Sequence, residues 1–296
     1  MFCKRVGDLN TLSDSQPLSS DKVSSTPDWN RSFIDQGWIQ ASRFVVDAGH
    51  VRLMPFTQRE VNPSLEGMRA AAEADLARMR RKPARLTRPV ILLNGYHAWA
   101  GIVASLRRQL IRLTSHNPRD FLDVSYFLKR DFPNVRSYAI DEVAQRFSIE
   151  RSFDFVGISM GGLIARLVTT PDETDQRTLR AERIFTIASP HRGANRAKRI
   201  HIDPAARDMI AGSKFLERLN RHVPSQLRCY TQIRDEIVGA TNTAPPGMHP
   251  FWMSGTWVMG HFTATRNPMI LADIARHLRG EQPLLPAHAA SVPVRD

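Results

Sequence analysis

The spacing of apolar residues changes character at residue 89. From there, short all-apolar runs alternate with stretches in which apolar residues recur every third or fourth position. PVILL (89–93), bounded by Pro and Asn-Gly, reads as a strand buried on both faces. GIVASLRRQLIRL (101–113) returns to helical spacing. FLDVSYFL (121–128) predicts a strand and the stretch around 134–147 a helix. FDFVGI (153–158) predicts a strand and LIARLV (163–168) the start of a helix. RIFTIA (183–188) and LRCYTQI (227–233) predict two more strands, and NPMILADIARHL (267–278) an amphipathic helix. Strands alternating with helices predict an α/β fold, a mostly parallel, doubly wound sheet flanked by helices.

Upstream, RFVVDAGHVRLMPF (43–56) holds two β-rich runs around Asp47-Ala48-Gly49 and predicts a hairpin. Asn62-Pro63 predicts a helix start, with the N-cap followed by Pro at the first position. Leu65, Met68, Ala72, Leu76 and Met79 then follow at helical steps. Residues 1–35 are rich in Ser, Asp, Pro and Thr, too poor in large apolar groups to offset the entropy of ordering, and are expected to be a tail. Residues 36–280 are expected to form one domain, and 281–296 a loose C-terminal end.

The 296 residues are 42% apolar and 24% charged, which excludes a disordered chain, a collagen-like repeat and a disulfide scaffold. The two cysteines, Cys3 and Cys229, form neither a C-x-x-C pair nor a metal-ligand spacing, so no metal is expected. No apolar run approaches the roughly 18 residues of a membrane span, and the first residues lack a signal-like apolar core. A cytoplasmic location is the expectation. The charge is +12, concentrated in 78–88 (RMRRKPARLTR) and 191–201 (HRGANRAKRIH). The first reading of this excess is a solvated basic surface. The second, if these segments flank a site, is peripheral contact with an anionic membrane.

One constellation carries chemistry. Gly157-Ile158-Ser159-Met160-Gly161, followed by Gly162, fits G-x-S-x-G between a predicted strand and a predicted helix. That pattern makes a sharp turn with the serine at its tip, raised above the carboxyl edge of the sheet. A serine hydroxyl needs a base, and the base needs an orienting carboxylate. His261, in the loop before the helix at 267–278, is the best-placed base; His249 and His277 fit less well. His191, in SPHRG, lies near the site but precedes the best acid in chain order. That acid is Asp235, just beyond LRCYTQI, with Glu236 as its neighbouring rival and Asp203 and Asp208 placed less well. The oxyanion donors are expected to be the backbone N–H groups of Met160 and Tyr96, with His97 as the fallback for the second. His97, His191, Trp252 and Trp257 are expected to line the substrate pocket. The Met- and aromatic-rich run Met248–Met253, with Trp257 and Met259, has two readings, a wall of the acyl pocket or a packed structural loop.

PVILLNGYHAWAG, DFVGISMGGLIAR, IFTIASPHRGA, RDEIVG and MGHFTATRNPMILADIARHL occur in order. Together they resemble the α/β-hydrolase superfamily, and more narrowly bacterial triacylglycerol lipases and GPI inositol-deacylase-like lipases, over about residues 85–280. The resemblance implies Ser159 as nucleophile, Asp235 as acid and His261 as base, with no cofactor. Asn94 departs from it, since the family usually has His before the Gly, which loosens the subfamily. No large cap is inserted, and 191–225 is the only room for a lid. The expected activity is hydrolysis of small-molecule or lipid carboxylic esters through an acyl-enzyme. Thioesterase and amidase activity on the same triad remain open, because the acyl pocket decides among them. A non-catalytic protein binding nucleic acid or an anionic surface on the same scaffold is the alternative class. No recognition-helix, zinc-finger or aromatic RNP pattern supports it, so no nucleic acid is expected.

Overall fold

The computed structural model describes residues 42–47, 50–55, 62–65, 67–98, 100–172, 175–199, 203–255 and 260–293. The expected N-terminal tail, Trp257 and Met259 lie outside the described residues. The first two strands, β1 (Ser42–Asp47) and β2 (His50–Pro55), pair antiparallel with Asp47 opposite His50, the expected hairpin.

Six parallel strands follow: β3 (Val90–Leu93), β4 (Phe121–Val124), β5 (Ser152–Ile158), β6 (Arg180–Ile187), β7 (Leu227–Gln232) and β8 (Phe251–Met253). They lie side by side in the order 4-3-5-6-7-8. The longer helices are α1 (Met68–Arg81), α2 (Ala100–Leu113), α3 (Phe132–Arg146) and α4 (Met160–Leu167). Shorter turns of helix α5 (Pro204–Asp208), α6 (Lys214–Asn220) and α7 (Gly260–Thr263) precede α8 (Pro268–Arg279).

The all-apolar strands follow from helices covering both faces. Along β3, Ile91 and Leu93 enter one core with α3, α4 and α6, while Val90 and Leu92 enter the other with α1, α2 and α8. In α2 the buried residues are Val103, Leu106, Leu110 and Leu113, one stripe at helical spacing. Each such buried aliphatic contributes roughly 1.5–3 kcal/mol. α8 is stopped at both ends by its sequence. The Asn267 side chain accepts from Met269 N–H (3.0 Å), Pro268 follows, and Gly280 leaves the helix at φ 70°.

Four expectations shift. The helix expected from Asn62-Pro63 starts later. Asn62 caps only a short turn at Pro63–Leu65, and α1 begins after Gly67, whose φ of 75° breaks the run. The strand expected at 121–128 ends at Val124, leaving Phe127 and Leu128 exposed in the following loop. Where it is described, the Met- and aromatic-rich run does not line the cavity that holds Ser159; Met248, His249 and Phe251 line a separate cleft. It holds β8, the edge strand beside β7. The loose end expected from 281 has no helix or strand through 293, yet it is anchored. Leu285 and Val292 are buried, and Trp252 Nε1–H donates to Ser291 O at 3.1 Å.

Part of the basic excess is interior. Arg136 and Arg166 are each 1% exposed. Arg136 donates to the carbonyls of Leu167 and Thr170, and Arg166 to those of Leu219 and His222. Five fixed N–H donors suit guanidinium to collecting loop carbonyls in this way. Asp273, fully buried on α8, takes the Tyr230 hydroxyl (2.7 Å), Arg228 Nε (2.8 Å) and the N–H groups of Leu284 and Leu285 (2.8 and 2.9 Å). It thus ties α8 to β7 and to the C-terminal segment. Asp273→Ala should lower the unfolding free energy by about 3–5 kcal/mol, because Arg228 is left without its buried counter-charge. Urea denaturation reads this, and a loss under about 1 kcal/mol would show that water replaces the carboxylate.

Candidate active site

β5 runs straight into α4 through one residue. Ser159 adopts φ 53°, ψ −123°, a backbone conformation that costs an L-residue energy and is held only by its surroundings. Its N–H donates to Ile187 O on β6 (2.8 Å), and its carbonyl accepts from Gly162 N–H (3.0 Å). The turn closes only because its flanks lack side chains. A Cβ on Gly157 would lie 2.4 Å from Gly162 N, and one on Gly161 2.2 Å from Leu93 O. Neither spacing leaves room for a carbon atom.

At the end of β7, Asp235 is 4% exposed, and its Oδ1 accepts from Ile237 and Val238 N–H at 3.1 and 2.9 Å. His261 Nδ1 lies 3.0 Å from both oxygens of the same carboxylate. Nδ1 therefore carries the proton, and the lone pair sits on Nε2. Glu236, the rival acid, instead accepts from the backbone N–H of His261 at 3.3 Å. Burial pushes the His261 ring down. The Asp235 carboxylate, with Glu236 behind it, outweighs that and holds the ring above its ordinary 6.5.

Ser159 and His261 line one apolar cavity of about 210 Å³, walled by Tyr96, Ile102, Ile158, Met209, Ile237 and Val238. Arg196, from the second basic segment, also lines it. The first basic segment leads into the opposite end of β3, away from the elbow. The loop after β3 runs beside the serine, since a Cβ on Gly95 would lie 3.4 Å from Ser159 Cβ. Asn94 shapes this loop. Its Oδ1 accepts from Gly95 N–H (2.9 Å), its Nδ2 donates to Ala98 O (3.0 Å), and its carbonyl accepts from the Tyr126 hydroxyl. Met160 opens α4, whose first N–H groups have no partner within the helix.

Strand order 4-3-5-6-7-8, a serine elbow after β5, a carboxylate after β7 and a histidine before the last helix complete the architecture. The chain has an α/β-hydrolase fold. The longest connection, 188–226 between β6 and β7, carries a 3-10 turn at Asn195–Arg199, α5 and α6, and among the described residues no large cap is inserted. No family model and no curated protein matches the chain. Among solved structures it is similar to the phospholipase PlaB of Legionella pneumophila, at 16% identity and TM-score 0.42 over 53% of this chain and 46% of that one. The chain thus spans about half the length of that phospholipase. A mature lipase of Bacillus licheniformis matches at 12% identity and TM-score 0.47, over 67% of this chain and 94% of the other. A metagenomic carboxyl esterase matches at 15% identity and TM-score 0.44, over 67% and 77%.

The expected pocket residues fare differently from the triad candidates. His191 is fully buried, accepting at Nδ1 from Arg166 Nη1 and donating from Nε2 to Thr186 Oγ1, each at 3.0 Å. Burial, with Arg166 and Arg192 beside it, pushes it well below the ordinary histidine range. It is a neutral spacer in the core and not a wall of the cavity. Trp252 is buried at the β8 edge among Ala240 and Val292, away from the cavity. His97 lies outside the cavity wall, bound to Asp203. The actual walls, such as Ile102, Met209 and Val238, carry no motif that marks them in a sequence. A larger cleft of about 450 Å³ lies between the first halves of β6 and β7 and the C-terminal segment. Its two arginines, Arg183 and Arg228, are already paired with Asp154 and Asp273.

The raised His261 value gives a sign to the pH response of stability. A ring whose folded pKa exceeds its unfolded one stabilises fully below the unfolded value, and that stability fades as pH climbs through the folded value. NMR titration of the imidazoles should therefore place the His261 midpoint above 6.5 and find no His191 transition near neutrality. A His261 midpoint below 6.5 would mean that burial outweighs Asp235.

Proposed function

We propose that the protein is a serine hydrolase cleaving carboxylic esters through an acyl-enzyme. One observation carries the reading. A histidine oriented at Nδ1 by a buried carboxylate shares an apolar cavity with a serine held at a strained strand-to-helix turn. In this mechanism Ser159 Oγ attacks the ester carbonyl while His261 Nε2 takes its proton. The oxyanion is received by the N–H groups of Met160 and Tyr96. His261 returns the proton to the departing alcohol, and water then releases the acid by the same steps in reverse roles. Asp235 holds the imidazole in place and stabilises its charged form.

The cavity speaks to the acyl side. Its volume of about 210 Å³ lies below the roughly 300–1,000 Å³ typical of drug-sized ligands, and its walls are mostly aliphatic. An acyl group of modest size fits it. Ser159→Ala should reduce turnover of p-nitrophenyl esters to a thousandth or less of wild type, on the order expected for loss of a triad nucleophile. The same variant should escape a fluorophosphonate probe that labels the wild type once per chain. Asp235→Asn should cost on the order of ten-thousandfold in kcat. A greater loss from Glu236→Gln would move the acid by one residue, and an unlabelled, well-folded wild type would favour the non-catalytic alternative.

A second feature supports contact with an anionic lipid surface. Phe127 and Leu128 are 55% and 85% exposed, with Arg130 exposed beside them, in the loop whose Phe127 ring packs edge-on against His97. Phe262, 41% exposed, and Arg196 flank the cavity. Apolar tips between arginines match a membrane interface, where each basic group contributes about 1 kcal/mol. Hydrolysis of esters in anionic vesicles should then fall about tenfold between low and physiological salt, as the Debye length shrinks to about 8–10 Å. A soluble neutral ester should be unaffected. Equal salt responses would discard the interface.

A further inference from the structure

We propose that Asp203 is a positioning residue that holds the loop beside Ser159 in its working conformation, through Tyr96 and His97. The proposal rests on the hydrolase reading for its catalytic consequence, though not for its geometry.

The stem of that loop is fixed by Asn94, as described above, but Asn94 does not reach the tip. The tip is Tyr96-His97, and His97 has φ 44°, a left-handed conformation that L-residues avoid. Two side chains from it converge on one oxygen. Tyr96 donates its hydroxyl to Asp203 Oδ2 at 2.9 Å, and His97 Nε2 lies 3.0 Å from the same atom. The other oxygen, Oδ1, accepts from Ala206 N–H at 2.9 Å and so caps α5. Asp203 is 5% exposed, and three donors aimed at it favour the ionised form. Burial opposes them, yet the carboxyl ends below its ordinary value. Tyr96, half-buried and beside that charge, is pushed up to about 12 and remains a donor. Both bonds are therefore charge-assisted.

The arrangement couples two walls of the cavity. Ala206 and Met209, in and just after α5, line the side where the acyl group would sit, and Tyr96 lines the side of the oxyanion. One carboxylate fixes the two against each other. An oxyanion donor is effective only when aimed to within about 0.5 Å of the developing charge. Loosening the tip should therefore lower the rate of bond making more than the affinity for ester.

An N-cap role alone would predict none of this, and one substitution separates the two. Asp203→Ser keeps a good N-cap for α5 but is too short to reach Tyr96 and His97. It should lower kcat about tenfold or more while KM changes less than about threefold, a fraction of the loss from deleting a donor outright. The rate of phosphonylation of Ser159 by a fluorophosphonate should fall by the same factor. Tyr96→Phe with His97→Gln should reproduce the loss and add little to it in the Asp203→Ser background. Amide hydrogen exchange at residues 95–98 should accelerate in Asp203→Ser whether or not the protein hydrolyses esters. Wild-type kcat in Asp203→Ser, or unchanged exchange at 95–98, would overturn the proposal. If the wild type itself neither turns over esters nor is phosphonylated, the hydrolase reading fails, and the exchange measurement still decides the clamp.

Discussion

The turn at Ser159 is the constraint on which the rest depends. A chain can pass from a buried parallel strand into a helix within one residue only if no side chain fills the space on either side. Gly157 would drive a Cβ into Gly162, and Gly161 would drive one into the carbonyl of Leu93 on the neighbouring strand. The serine is left at positive φ, a cost carried by the sheet through its hydrogen bond to Ile187. Everything chemical is placed relative to that point. The loop after β3 lies beside the serine because β3 and β5 are neighbours in register, with Leu93 opposite Gly157.

Buried charge does two kinds of work in this molecule. At the carboxyl edge of the sheet, Asp235 and Asp203 hold imidazole and phenol groups in fixed directions around a cavity. Behind and below it, arginines and aspartates act as fasteners. Arg166 gathers carbonyls of the 219–222 turn, Arg183 is clamped by Asp154, and Asp273 draws in Arg228 and Tyr230. A basic composition in this chain is thus partly an interior device. Guanidinium serves it well, because five fixed N–H donors can satisfy several carbonyls at once.

The histidines show why residue type alone does not assign a role. His191 and His261 are both buried beside the sheet. His191 faces Arg166 and is driven neutral, with both nitrogens spent on Arg166 and Thr186. His261 faces Asp235 and is held above its ordinary value, with one nitrogen left for the cavity. The difference lies in the partner, and the partner lies 25 or 26 positions away in the chain in each case.

Periodicity by itself was enough for the strand-helix alternation, because burial on both faces demands continuous apolar strands and burial on one face demands helical stripes. β3, β5, β6, β7, α2 and α8 were all legible on that ground, and the elbow was legible because only glycine fits its flanks. The pairing of Asp235 with His261 could be anticipated from order along the chain. The short β8 could not, since a three-residue edge strand is too brief to establish a period, and its Trp252 looked like a pocket residue. The cavity walls were equally hidden. Ile102, Met209 and Val238 are ordinary aliphatics that meet only when α2, α5 and the loop after β7 are brought over the same sheet edge. In the sequence Asp203 reads only as a poorly placed acid, although an Asp before Pro204 is a helix-cap signal local in sequence. Its grip on Tyr96 and His97 spans more than a hundred residues, and a contact of that range exists only once the parallel sheet has set β3 and the β6–β7 connection side by side.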